Sequence, residues 1–440
     1  MYTNKQIWSV SYPILLSLLA QNVINVTDTA FLGRVSEIAL GASAMGGLFY
    51  ICIFTIAFGF STGSQIVIVR RNGEARYGDV GPVMIQGVLF LLVMALLLFG
   101  FTKAFGGNIM RLLVSSESIY DATMEFLDWR IFGFFFSFVN VMFRALYIGI
   151  TRTKVLTINA VVMALTNVVL DYALIFGHFG LPEMGIKGAA IASVIAEAAS
   201  LLFFLIYTYI TVNLKKYGLN RLRSFDPVLL MRILSISCFT MLQYFLSMAT
   251  WFVFFVAVER LGQRELAIAN IVRSIYIVML IPVNALATTT NSLVSNAIGA
   301  GGINYVMPLI NKIGRFSFLI MLGLVIITAL FPQALLSVYT NETALINESV
   351  SSVYVICVAM LIASVANIVF NGISGTGNTQ AALMLEAITI AIYGSYIIFI
   401  GMWVKAPIEW CFTIEILYYT LLLATSYIYF KKAKWQNKKI

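Results

Sequence analysis

The sequence predicts an all-α polytopic membrane protein, with twelve transmembrane helices in two pseudo-symmetric six-helix bundles around a central cleft. Three observations predict it. Over 440 residues the chain is 60% hydrophobic and only 11% charged, too apolar for a soluble domain of ordinary surface. Continuous apolar runs of about 20 residues or more recur along its length, each able to cross a ~30 Å hydrocarbon core, and they lack the alternation of outer-membrane strands. One long polar interruption, 213–227, divides the runs into six and six.

In order, the spans are expected at about 7–32, 38–69, 83–105, 123–150, 155–177, 187–212, 229–258, 266–298, 311–331, 347–374, 380–402 and 408–430. The domains that follow are 1–212, a cytoplasmic linker 213–227, and 228–440. The first span holds Pro13, Gln21, Asn22, Asn25 and Asp28 without a small-residue cleavage site, so it reads as a retained helix rather than a signal peptide. Within it Gln21, Asn25 and Asp28 share one face by their i, i+4, i+7 spacing. Asp28 lies about 21 residues along, in the outer half at ~1.5 Å per residue.

The fourth span aligns Ser137, Asn140, Arg144 and Tyr147, with Asp128 and Arg130 near its outer end. The fifth carries Asn167 and Asp171 one turn apart, at a depth matching Asp28, and the sixth carries Glu197. The seventh repeats the first-span trio as Gln243, Ser247 and Thr250, all at one constant displacement, and Arg273 lies in the eighth. The eighth aligns Asn284, Thr288, Asn291 and Ser295, and the tenth aligns Ser364, Asn367, Asn371 and Ser374. Glu386 and Glu415 stand in the last two spans, as lining or structural groups. Further matches at a second, similar displacement, Gly149 with Gly375 and Thr153 with Thr379, mark a duplication whose copies share one orientation.

Polar groups inside a bilayer are costly, ~2.5–3.5 kcal/mol for a central charge, so each requires a reason. The stripes fit either a water-filled cavity or interhelical hydrogen bonding. Two acids and an amide at one depth suit a small cation held by oxygen ligands, or a proton shared between carboxyls. Phe134, Phe135, Phe136, Phe252, Phe254 and Phe255 fit a cation–π cradle or a lipid-facing surface.

Lysine and arginine set the orientation. One face holds Lys5, Arg70, Arg71, Arg76, Arg152, Lys154, Lys215, Lys216, Arg221, Arg223, Arg232, Lys312, Arg315 and five C-terminal lysines, Lys431, Lys432, Lys434, Lys438 and Lys439. The other holds Arg34, Lys103, Arg111, Lys187, Arg260, Arg264 and Lys405, so both termini are expected in the cytoplasm. The net charge of +9 then reflects topology and anionic headgroups rather than nucleic acid. Scattered Cys52, Cys238, Cys357 and Cys411 suggest no disulfide or zinc site, and His178 reads as a solvated loop residue. A P-loop is missing, so an ion gradient is the expected energy source, and without an acidic metal-binding run a membrane enzyme is disfavoured.

Several segments resemble the MATE family of multidrug and toxic compound extrusion antiporters. They are Asp28 to Arg34 (DTAFLGR), Arg144 to Lys154 (RALYIGITRTK), Asn167 to Asp171 (NVVLD), Gly185 to Ser193 (GIKGAAIAS) and Asn371 to Gln380 (NGISGTGNTQ). The resemblance covers essentially the whole chain and implies a rocker-switch exporter of organic, often cationic, compounds in the plasma (inner) membrane of a prokaryote. It would be driven by Na+ or H+ and need neither cofactor nor obligatory protein partner. Its DinF-like branch keeps the cation site in the N-terminal lobe, which implies Asp28, Asn167, Asp171 and Ser193 as ligands, the two acids holding a monovalent metal ion if sodium is used. The substrate cavity would draw on Gln21, Asn25, Asn140, Arg144, Gln243, Asn284, Asn291 and Asn371. Arg152 departs from the family pattern, which commonly has a glycine-acid pair there. The NorM-like branch has acids in the seventh and tenth spans, where this chain has Gln243, Thr250, Asn367 and Asn371, which argues against a C-lobe cation site. The alternative is a flippase for lipid-linked oligosaccharide or cell-wall precursors, for which Arg130, Arg144 and Arg273 would supply positive charge.

Overall fold

The structure is a computed structural model that describes residues 2–114, 116–220 and 225–437. Arg221, Arg223, Lys438 and Lys439 of the orientation count lie outside the described residues, as does the side chain of Phe252. The described chain is helical: α1 Asn4–Val35, α2 Glu37–Gly73, α3 Val80–Leu113, α4 Glu117–Arg130, α5 Gly133–Gly149, α6 Lys154–Phe176 and α7 Gly185–Thr211. It continues with α8 Pro227–Glu259, α9 Gln263–Gly299, α10 Val306–Leu330, the short α11 Pro332–Leu336, α12 Thr343–Gly375, α13 Thr379–Ile397 and α14 Ile408–Lys432. Eleven of these segments are long and apolar enough to cross a membrane, and α4 with α5 makes a twelfth, bent by 54°. The protein is therefore a multi-pass membrane protein. The bend is the main departure from the expected spans: the apolar run at 123–150 reads as continuous, yet the helix turns at Ile131 and Phe132.

The duplication is visible element by element. α2 and α9 are related by the same offset at both ends, from 37 to 263 and from 73 to 299. The α4–α5 pair and α12 repeat that offset, from 117 to 343 and from 149 to 375. Packing follows the same register. A Cβ on Gly149 would lie 2.4 Å from Ile68, and one on Gly375 would lie 3.1 Å from Val294 and 2.6 Å from the Asn291 carbonyl oxygen. Ile68 and Val294 are themselves related by this offset, so the bare glycine lets the fourth span press against the second in each copy.

The chain divides into two compact units, Tyr12–Met241 and Met1–Ser11 with Leu242–Ile440. The division falls inside α1 and α8 for packing reasons. Ser237 and Thr240 at the start of α8 donate to the carbonyls of Phe60 (3.1 Å) and Gly59 (2.6 Å). Gly59 and Gly63 expose bare backbone that admits them. In the other unit the Tyr2 hydroxyl donates to Asn296 Oδ1 at 2.6 Å, and Lys312 Nζ donates to the Tyr2 carbonyl at 2.9 Å.

Aromatic side chains correct one expectation. Phe134 is fully buried and stacks on Tyr50 with ring centres 5.0 Å apart, and Phe254 is buried against Phe412 at 5.2 Å. These two are core residues, facing neither lipid nor an open cradle. Phe135 packs on Phe99 at 5.5 Å. His178 is exposed, with its ring stacked on Tyr172 at 4.3 Å.

Candidate cation and substrate site

The Tyr12–Met241 unit brings the two sequence-flagged acids together. Asp28 on α1 and Asp171 on α6 are close enough for their carboxyls to interact. Asn167 lies one turn before Asp171 on the same α6 face. Asp171 and Asn167 are 0% and 1% exposed. Asp28 Oδ1, both carboxylate oxygens of Asp171, and both amide atoms of Asn167 have no hydrogen-bond partner. Buried polar atoms are normally satisfied, and unpartnered oxygens on these neighbouring side chains are atoms that a cation or a shared proton would satisfy. Oxygen ligands of this type suit a hard monovalent cation, or one proton shared by the carboxyl pair.

Beside this cluster lies a cavity of about 500 Å³ whose wall includes Gln21, Asn25, Asp28, Asn167 and Ser193. The first-span trio thus presents one face to one space, and Ser193 on α7 reaches the same wall. Asn140 and Arg144 line a smaller neighbouring cavity of about 110 Å³ together with Gln21. Asn140 also donates to the Glu197 carbonyl at 2.9 Å, and the Arg144 guanidinium lies 5.0 Å from the Phe58 ring centre.

Sequence reasoning misses the ion pair on the cavity wall. Arg130, the last residue of α4, donates from Nη2 and Nη1 to the two carboxylate oxygens of Glu197 on α7 at 2.6 and 3.0 Å. Its guanidinium sits over the Tyr50 ring at 3.6 Å, while the Tyr50 hydroxyl reaches Glu197 at 3.1 Å and Ser137 at 2.9 Å. Gly133 makes the room: a Cβ there would fall 2.3 Å from both Arg130 Nη1 and Glu197 Oε2. The helix break therefore places a bidentate charge pair where a straight helix bearing a side chain would block it.

The C-terminal candidates have separate local surroundings. Asn284 is exposed, and Asn291 is buried with both amide atoms unpartnered. Asn371 and Asn367 donate back to their own helix, to the carbonyls of Asn367 and Ala363 at 3.0 and 3.1 Å. That part of the tenth-span stripe is accounted for by local back-bonding. Gln243 faces the Glu386 carboxyl. Among the described residues no group of three or more His, Cys, Asp or Glu side chains could hold a metal ion.

Residues 13–173 and 236–400 match the model of the MatE family, one block in each copy of the repeat. The probable multidrug resistance protein NorM of Thermotoga maritima is 23% identical over 88% of this chain and 83% of its own length. A protein of that name from Agrobacterium fabrum is 28% identical over 47% of this chain and 44% of its own. A solved MOP superfamily transporter from Pyrococcus furiosus shares the fold with a TM-score of 0.90 at 17% identity, across 99% of this chain and 97% of that one.

Proposed function

Because this chain belongs to the MatE family and is a transporter rather than an enzyme, we propose that it is a Na+- or H+-coupled antiporter that exports organic, often cationic, compounds. The names of its relatives, probable multidrug resistance proteins, support that substrate class. One observation carries the coupling: buried oxygens of Asp28, Asp171 and Asn167 have no hydrogen-bond partner, and Asp28 and Asn167 line a cavity of about 500 Å³. A cation entering there satisfies them, and an organic cation bound at the same wall competes with it electrostatically. Two mutually exclusive ligands that favour different lobe arrangements give exchange by rocker-switch, with residues 1–212 and 228–440 as the rocking lobes and 213–227 between them. One charge moving inward across ~100 mV supplies ~2.3 kcal/mol, roughly a fifty-fold substrate gradient.

In this reading the protein works in the inner membrane of a prokaryote with both termini cytoplasmic, serving small molecules without nucleic acid or an obligatory protein partner. The flippase alternative relies on free cationic groups for pyrophosphate, and Arg130 already holds Glu197. The test is efflux of a cationic dye from liposomes containing the purified protein under imposed sodium or proton gradients, with Asp28→Asn and Asp171→Asn alongside wild type. Gradient-driven efflux lost in either variant supports the antiporter and names its ion. No dye movement in any gradient, with scrambling of a lipid-linked sugar, overturns it in favour of the flippase.

A further inference from the structure

The C-terminal unit holds two buried carboxyls that the proposed cycle does not use. Glu386 on α13 is 3% exposed and Glu415 on α14 is 5% exposed. Among the described residues neither forms an ion pair. Hydroxyl groups surround them instead. Glu386 Oε1 accepts from the hydroxyls of Ser247 on α8 and Tyr418 on α14, the latter at 3.4 Å. Glu415 accepts from Tyr393 at 3.1 Å and from Tyr276 at 3.2 Å, and the Tyr276 and Tyr419 hydroxyls are 2.5 Å apart. Tyr418 links the two halves of the cluster by ring packing, against Tyr419 at 5.0 Å and Tyr393 at 5.9 Å. Glu386 Oε2 has no donor at all, although the Gln243 amide lies alongside that carboxyl.

The repeat shows what is missing. Tyr50 and Tyr276 are related by the offset that carries α2 onto α9, and each reaches a glutamate on the sixth span of its unit, Glu197 or Glu415. Glu197 has Arg130 as a fixed countercharge. The same offset carries Arg130 onto Ile356, an apolar residue 1% exposed. A second correspondence concerns the first and fifth spans. In one unit they contribute Asp28 and Asp171, and in the other they contribute Gln243 with Ser247 and Glu386.

We propose that the C-terminal unit contains a proton-binding site centred on Glu386, neutralised by a mobile proton where the N-terminal copy uses a fixed arginine. An isolated buried carboxylate is too costly to keep in a membrane protein, so it takes up a proton or a partner. The surroundings select the proton. Ser247 and Tyr418 donate to Oε1 while Oε2 is left without a partner, an acceptor that one proton satisfies. From α8 the Glu386 carboxyl meets Gln243 and Ser247, and from α14 Tyr418 with Tyr419 and Glu415 beyond it. On α12, Asn367 reaches Tyr419 and adds no charge. The step is a simple ionisation: the Oε2–H bond breaks, the proton leaves to water, and the carboxylate keeps its two hydroxyl donors. The expectation against a C-lobe cation site concerns the seventh and tenth spans, whereas these acids lie on the eleventh and twelfth.

The test is a pH titration of the full-length protein in lipid by infrared difference spectroscopy. It reads proton binding directly, so it stands whether or not the antiport reading survives. Wild type is expected to show a protonated-carboxyl carbonyl band that disappears as pH rises. Glu386→Gln loses that band, Glu386→Asp restores it at a displaced frequency, and Asp171→Asn keeps it. An identical band and titration in Glu386→Gln overturns the proposal. Should that variant misfold, Tyr418→Phe removes one hydroxyl from Oε1, and a spectrum unchanged by it overturns the proposal equally.

Discussion

The two units are copies in register that handle a buried acid in opposite ways. In one, the Tyr50–Glu197 pair is closed by Arg130 at a helix break and roofed by Gly133. In the other, α12 runs unbroken through the equivalent positions and Tyr276–Glu415 is surrounded by phenols. An arginine neutralises permanently and ties three spans together. Hydroxyls solvate a carboxyl without supplying a fixed countercharge. One duplicated scaffold thus provides a structural ion pair beside the candidate cation cluster in one copy, and in the other two buried glutamates held by hydroxyls, of which Glu386 is the proposed proton site.

The sharpest way to break this comparison is to remove one acid from each copy. Asp171→Asn removes half of the orphaned carboxyl pair and is expected to lower gradient-driven efflux at least about tenfold, a loss of ~1.4 kcal/mol or more of coupling. Glu415→Gln, which retains acceptor capacity for its tyrosines, is expected to lower it less. Initial efflux rates in matched liposomes decide, and equal losses would erase the distinction between the units.

Stability separates the two glutamates in the other direction. Glu197→Gln leaves the Arg130 charge buried without a carboxylate, and breaking such a pair costs ~3–5 kcal/mol. Glu415→Gln disturbs hydrogen bonds from tyrosine hydroxyls and leaves no opposite charge unpaired, at ~1–3 kcal/mol. Thermal unfolding of the detergent-solubilised variants should therefore rank Glu197→Gln well below Glu415→Gln. A reversed order would show that Arg130–Glu197 is not the structural member.

A smaller effect is expected at the break. Gly133→Ala forces a methyl between Arg130 and Glu197, and overpacking of this kind costs ~1–3 kcal/mol. Its counterpart in the second copy, Ala359, already carries the methyl in an unbroken helix. A lowered unfolding temperature in Gly133→Ala supports the reading of the gap as room for the pair. The smallest effect is expected at Asn291→Ala: since neither amide atom has a partner, removing the group should change stability by less than about 1 kcal/mol.

How much is legible in the sequence follows from which forces act along the chain. Hydropathy over a span is local, so the twelve spans and the repeat of Gly149 and Thr153 as Gly375 and Thr379 can be read directly. Spacing places Asn167 and Asp171 on one face, and counting the rise per residue places Asp28 at their depth, so their meeting is foreseeable. Arg130 and Glu197 are 67 residues apart and join only because α4 stops at Arg130, which continuous hydropathy conceals. The recoverable signals are the Tyr50–Tyr276 correspondence and a glycine shortly after the arginine. Phe134 and Phe254 defeat the sequence reading for a different reason. Lipid and protein core are equally apolar, so hydrophobicity alone cannot say which one a membrane aromatic faces.

The most direct test of the central assignment is cation binding itself. Purified full-length protein is stepped from low to high sodium, or across pH, and the ions taken up per molecule are counted in wild type and Asp171→Asn. The paired acids Asp28 and Asp171, with Asn167 one turn away, predict uptake at this cluster in wild type that Asp171→Asn loses, while Glu386→Gln retains it there. Undiminished uptake in Asp171→Asn would contradict the assignment of the coupling cation to this cluster.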